Sequence, residues 1–151
     1  SNTEKVVRRS SVPVLVVKSN GVEFDIKNIV FASDFKKESK KTFPKVMEFA
    51  NLFGAKFHFL YVNTIHNFNT TKAIEERMHN FIKDFDLKDY KTVIYNDISI
   101  ENGILSYSND AKADLIALNT HGRSGLSQLF NGSIGAELTN HALKPVITFK
   151  L

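Results

Sequence analysis

The chain has 151 residues, 42% of them hydrophobic, with 20 Lys and Arg against 16 Asp and Glu and no cysteine. These figures describe one domain with a sizeable core, exclude disulfides and thiolate metal sites, and leave no run near the ~18 apolar residues of a membrane span. A formal charge of +4, spread over scattered lysines, argues against nucleic acid as a partner, and the cysteine-free chain with a polar start (SNTEKVVRRSS) is expected in the cytoplasm.

In chain order, TEKVVRRSSVPVLVVK reads as a helix, a proline and an apolar strand. Asn28–Ser33 is a β-branched and aromatic run suited to burial on both faces. From Glu38 to Phe53, apolar groups at Phe43, Val46, Met47, Ala50 and Phe53 make a helical stripe, with Gly54 at a C-cap position. Lys36, Lys37, Lys40 and Lys41 form its charged face and read as solvated surface. Lys56–Val62 is the next strand, and residues from Thr71 to Phe85 repeat at helical spacing. Lys91–Tyr95 is a strand, Ile100–Tyr107 a short helix and Leu115–Leu118 another strand. Residues 133–142 make a helix, and 146–151 form the last strand after Pro145. Alternating strands and helices predict an α/β fold: an open, doubly wound, parallel five-stranded sheet with helices on both faces. Ligands of such sheets sit at the carboxyl ends of the strands.

Two features fall at strand ends. Asp34 follows the first central strand, and a small-residue turn bearing Gly122, Gly125 and Gly132 follows Leu118 and Asn119. A buried strand feeding a glycine-bearing loop into a helix start is a phosphate-binding arrangement, because free N–H groups there point at the anion. Each residue also has a purely structural role open to it. Ser133 and Asp34 fit helix N-caps, and the glycines fit turns. No Gly-Lys-Ser/Thr occurs, no nucleophile–base pair is evident, and the five histidines lack metal-ligand spacing.

Residues 1–18 stand outside the strand–helix cycle. Slid onto the end of the chain, Ser1 falls on Ser133, Pro13 on Pro145, Val14 on Val146 and Lys18 on Lys150. The offset is about one domain length. The simplest account makes 1–18 the closing helix and strand of a preceding similar domain and 19–25 a linker. On that account the chain is a piece of a two-domain protein. The alternative is an arm that merely packs on the sheet. On either account Val14–Val17 and Val146–Phe149 are apolar edge strands, and Val14–Val17 is expected to pair with a last strand, within the chain or in a homodimer.

Taken together, Gly122, the nine residues 123–131, then Gly132 and Ser133, with Asp34 at a strand end and the ending HALKPVITFK, resemble the universal stress protein family in its tandem form. The resemblance covers 26–151 as one domain and 1–18 as a remnant. It implies the adenine nucleotide alpha hydrolase-like, Rossmann-like fold and binding of ATP, ADP or AMP, with Mg²⁺ accompanying a triphosphate. The function implied is stress response or signalling, with at most slow, incidental hydrolysis. Asp34 would meet ribose or adenine, Val62 would offer main-chain groups to adenine, and Gly122, Arg123, Ser124, Gly132 and Ser133 would surround the phosphates. His121 would orient the loop. The family's first glycine is Asn119 here, whose side chain is expected to reach into the ligand space. That departure implies micromolar or weaker binding, about −8 kcal/mol or less favourable. The alternative is a degenerate domain that serves as the interaction half of a tandem pair.

Overall fold

A computed structural model describes residues 2–18, 24–119, 142 and 144–149. Its elements in chain order are α1 (Asn2–Arg9), β1 (Val14–Val16), β2 (Asn28–Ala32), α2 (Lys37–Phe53), β3 (Lys56–Asn63), α3 (Thr71–Ile82), β4 (Tyr90–Asn96), α4 (Ile100–Asp110), β5 (Leu115–Asn119) and β6 (Val146–Phe149). The strands form one six-stranded sheet in the order β1-β6-β5-β2-β3-β4. Five of them are parallel, the expected doubly wound arrangement, and β1 adds a sixth, antiparallel strand at the edge. Val14 faces Thr148 and Val16 faces Val146, so the expected pairing of the first strand with the last occurs within this chain, and β1 takes the edge position in place of β6.

Strand β2 lies between β3 and β5, and its apolar run is buried on both faces. The pleat divides it. Ile29 and Phe31 enter one core with Phe43 and Val46 of α2, Phe57 and Phe59 of β3, and Ile74, Met78 and Phe81 of α3. Val30 and Ala32 enter the other with Val7 of α1, Leu60 and Val62 of β3, Ile104 of α4 and Leu118 of β5. One face of the sheet therefore carries α2 and α3, and the other carries α1 and α4. Most ring pairs on the first face contact edge-on or tilted, such as Phe31–Phe43 at 5.2 Å and Phe43–Phe81 at 5.3 Å, while Phe31–Phe81 and Phe57–Phe59 stack.

Local chemistry sets the boundaries. Gly54 closes α2 at φ 63, with its N–H bonded back to Ala50 and Asn51. Thr70 and Ser99 cap α3 and α4 by accepting from the N–H groups of Ala73 and Asn102. Helix α3 stops at Ile82, short of the expected Phe85, while β4 begins one residue early at Tyr90. At the amino end of the sheet, Asp114 Oδ2 accepts from the N–H groups of Lys27 (3.0 Å) and Asn28 (2.8 Å), locking the start of β5 beside β2. The helix expected over 133–142 lies outside the described residues. No helix among the described residues is long and apolar enough to cross a membrane.

His58 sits buried at that same amino end. Its Nδ1 lies 2.7 Å from the Tyr107 hydroxyl, and its Nε2 lies 3.1 Å from Asn28 Oδ1. A neutral ring satisfies both: Nε2–H donates to the amide oxygen, and Nδ1 accepts from the phenol. Desolvation, then the charges of Lys91 and Lys56, hold the His58 pKa below its ordinary value near 6.5. The unfolded chain therefore takes up a proton before the folded one does. The stabilisation is full above pH ~6.5 and is lost as pH falls from there toward the folded-state pKa. Melting temperature should drop between pH 7 and 5.5, and the drop should shrink in His58→Gln. Equal drops in the two proteins would assign the loss to other groups.

Candidate functional site

At the carboxyl end of β2 the chain reverses sharply. Phe35 takes φ 56, a left-handed conformation that is strained for a bulky residue. Ser33 Oγ accepts from the Phe35 N–H at 2.9 Å, and Asp34 Oδ1 accepts from the Lys36 N–H at 3.1 Å and the Ser39 hydroxyl at 3.2 Å. The reversal sends the Phe35 ring into the aromatic core, 5.2 Å from Phe81, and leaves Asp34 at the surface of a cavity. The other carboxylate oxygen, Oδ2, is buried and has no hydrogen-bond partner among the described residues.

That cavity, of about 330 Å³, lies at the ends of β2 and β3 on the α4 side. Its apolar wall is Ala32, Leu60, Val62, Ile100 and Ile104. Asp34 and Val62, singled out from the sequence, thus line one space. Across from them the segment 64–70 is folded back by Asn63, whose Nδ2 donates to the Asn69 carbonyl (3.1 Å) and whose Oδ1 accepts from the Asn69 N–H (3.0 Å). The Asn69 side chain in turn donates to the Tyr61 hydroxyl at 2.9 Å. This clamp sets Phe68, 69% exposed, against the cavity. Arg77 of α3 donates to the Asp34 carbonyl at 3.3 Å, with its guanidinium 5.9 Å from the Tyr61 ring centre.

Asn119 ends β5 and is 1% exposed. Its side chain is engaged by α2, with Oδ1 2.9 Å from the Thr42 hydroxyl, instead of standing in the ligand space as expected. The Thr42 hydroxyl also lies 3.1 Å from the Ser39 carbonyl. One hydroxyl hydrogen cannot serve two acceptors. Turning the amide so that one Nδ2–H donates to Thr42, and Thr42 to Ser39, gives the hydroxyl hydrogen a single acceptor. As placed, the Nδ2 of this buried amide lacks a partner among the described residues. Asp34, Ser39, Thr42 and Asn119 form a continuous polar line under the start of α2.

Gly122, Arg123, Ser124, Gly132 and Ser133, together with His121, lie outside the described residues. Sequence reasoning did not find the Asn63–Asn69 clamp, Phe68 or Arg77. Asparagines in a polar loop and an arginine on an amphipathic helix carry no signal of their own. Among the described residues no cluster of three or more His, Asp or Glu could hold a metal ion.

The fold can now be placed among known proteins. Residues 83–150 match the universal stress protein family. The family resemblance holds. In structure the chain is similar to a universal stress protein from Archaeoglobus fulgidus, with 19% identity and a TM-score of 0.75, over 98% of this chain and 53% of that one. The chain therefore spans about half the length of that relative. It is also similar to a universal stress protein crystallised with cAMP (16% identity, TM-score 0.63, 83% of this chain and 97% of that one). A third similar structure is the universal stress protein UspA from Lactobacillus plantarum (20% identity, TM-score 0.61, 84% and 99%). No curated protein matches the chain in sequence.

Gly103 of α4 holds the apolar wall in place. A Cβ built on it would lie 2.4 Å from Val62 Cγ1 and 2.9 Å from Cγ2. Valine is stiff and Val62 is buried, so Gly103→Ala must push α4 off the strand or turn Val62 within the cavity wall. Overpacking costs about 1–3 kcal/mol, more than the ~1 kcal/mol that Ala gains over Gly in a helix. Denaturant titration of Gly103→Ala should show a loss of stability. A gain would mean that α4 is free to shift.

Proposed function

We propose that residues 26–151 bind an adenine nucleotide in the cavity between Asp34 and Val62, as a signalling or stress-response module and not as a catalyst. The observation that carries this reading is the buried, unpartnered Asp34 Oδ2 beside a 330 Å³ space. A buried carboxylate oxygen without a donor is costly, and a ribose hydroxyl or an exocyclic amine supplies one. The volume falls at the lower end of small-ligand sites, about 300–1,000 Å³. Leu60, Val62, Ile100 and Ile104 offer a flat base an apolar seat, and Phe68 offers it a ring to stack on. The cAMP complex of a structurally similar protein favours adenine over other bases.

In this reading the phosphates extend from Asp34 toward the glycine loop that begins after Asn119, where Gly122, Arg123, Ser124, Gly132 and Ser133 receive them. A Mg²⁺ ion would arrive with a triphosphate and be held mainly by its oxygens. Asn119 weakens the fit without closing it, since its amide is tied to Thr42. The chain binds and orients the nucleotide, and any hydrolysis is slow and incidental.

A second reading is favoured by the antiparallel β1–β6 pairing. Residues 1–18 would be the closing helix and strand of a preceding similar domain joined by 19–25, and the present domain would be its non-binding, interaction half. A homodimer through the same edge is the intermolecular version of that pairing. The cytoplasm is the compartment we infer for either.

Thermal melting with ATP, ADP, AMP and cAMP separates the two readings. A ligand at a hundred times its dissociation constant, bound only to the folded state, adds about 2.7 kcal/mol. Asp34→Asn keeps an oxygen for the Lys36 N–H but removes the charge, and should abolish most of that shift. A full shift in Asp34→Asn would remove Asp34 from the site. No shift with any of the four would favour the interaction half.

A further inference from the structure

Next to the cavity, and sharing Lys36 and Arg77 with it, α2 and α3 enclose a second groove of about 890 Å³. It is lined by five cations, Lys36, Lys37, Lys40, Arg77 and Lys83, against two carboxylates, Glu38 and Asp84. Lys40 is already engaged, donating to the Asn80 carbonyl at 2.8 Å and to the carboxylate of Asp84. That contact holds the Asp84 pKa below its ordinary value. Discounting the pair leaves Lys36, Lys37, Lys83 and Arg77 facing Glu38 alone. The three lysines are exposed. Helix α2 also starts here without a side-chain cap on its first-turn N–H groups, which adds a partial positive charge to the groove.

We infer that this α2–α3 groove is a docking surface for an acidic polypeptide segment, one rich in Asp and Glu. Charge complementarity selects an anionic occupant. Its size, 890 Å³, exceeds what a single compact anion fills and suits several side chains of an extended segment. Lys36, Lys37 and Lys83 are separate point charges on flexible stems, spread over two helices, which suits carboxylates spaced along a chain. The aromatic rings that line it, Phe35 and Phe81, are 3% and 2% exposed. They form a floor and present no open face on which a nucleobase stacks, which disfavours single-stranded nucleic acid. Arg77 anchors the groove rigidly, being half-buried and held by the Asp34 carbonyl. The inference rests on the charge of the groove, and because Lys36 and Arg77 also line the cavity it is tested without nucleotide.

The test is fluorescence anisotropy of a short fluorescein-labelled Glu-rich peptide, without nucleotide, at low and at physiological salt. The expected result is saturable binding that weakens with salt and falls roughly tenfold or more in Lys36→Glu/Lys37→Glu/Lys83→Glu. A charge-matched control, Lys5→Glu/Lys18→Glu/Lys45→Glu, places the same reversals on exposed lysines outside the groove and should keep most of the binding. Melting curves of both variants check that they fold. No binding of the Glu-rich peptide overturns the proposal, as does an equal loss in the two triple variants, which would reduce the effect to net charge. Tighter binding of an oligonucleotide or of inorganic triphosphate than of the peptide, lost in the groove variant and kept in the control variant, overturns it too and reassigns the groove to that anion.

Discussion

The carboxyl end of the sheet depends on one backbone reversal, at Phe35. A phenylalanine at φ 56 is held against a local preference of about 1–2 kcal/mol. Its ring supplies the offset by packing 6.1 Å from Phe31, 6.2 Å from Phe59 and 5.2 Å from Phe81. The core thus enforces the turn, and the turn aims Asp34. Without it, the residue after β2 would continue along the strand and neither the cavity nor the start of α2 would stand where they do.

Around that turn, two adjoining spaces with different chemistry open at the carboxyl end of the sheet. The α4 side holds a small, half-apolar cavity with one uncommitted carboxylate oxygen. The α2–α3 side holds a wider groove with an excess of cations. Lys36 and Arg77 line both, and Arg77 bonds the main chain of the residue whose side chain lines the cavity. The line from Asp34 through Ser39 and Thr42 to Asn119 ties β2, α2 and β5 at the level where strands become loops. Buried polar contacts of this kind fix geometry more than they add stability, because each replaces a hydrogen bond to water.

The fold was legible because its signals are local and repeated. NIVFA and LIAL are continuous apolar runs, the mark of strands buried on both faces, and the helical stripe ending at Gly54 gave α2 nearly to the residue. Asp34 and Val62 were legible as strand-end residues. The unforeseen parts involve side chains distant in sequence. Gly103 touches Val62, Asn119 bonds Thr42, and the Asn63–Asn69 clamp depends on how one loop folds over a cavity. Lys36, Lys37 and Lys40 read as an ordinary solvated helix face, since the sequence does not show α3 bringing Arg77 and Lys83 beside them.

By itself, the sequence determined which of the described segments are strands and helices, that the five repeating strands run parallel, and that Asp34 stands at a strand end. Hydrophobic period and capping chemistry are properties of neighbouring residues and need no partner. Only the tertiary structure decided that β1 closes the sheet antiparallel against β6, that Asn119 is bound to α2, and that one space carries an open carboxylate while the adjoining one gathers cations. Those outcomes depend on register and on which helices share a face, and both are fixed by packing across the whole sheet.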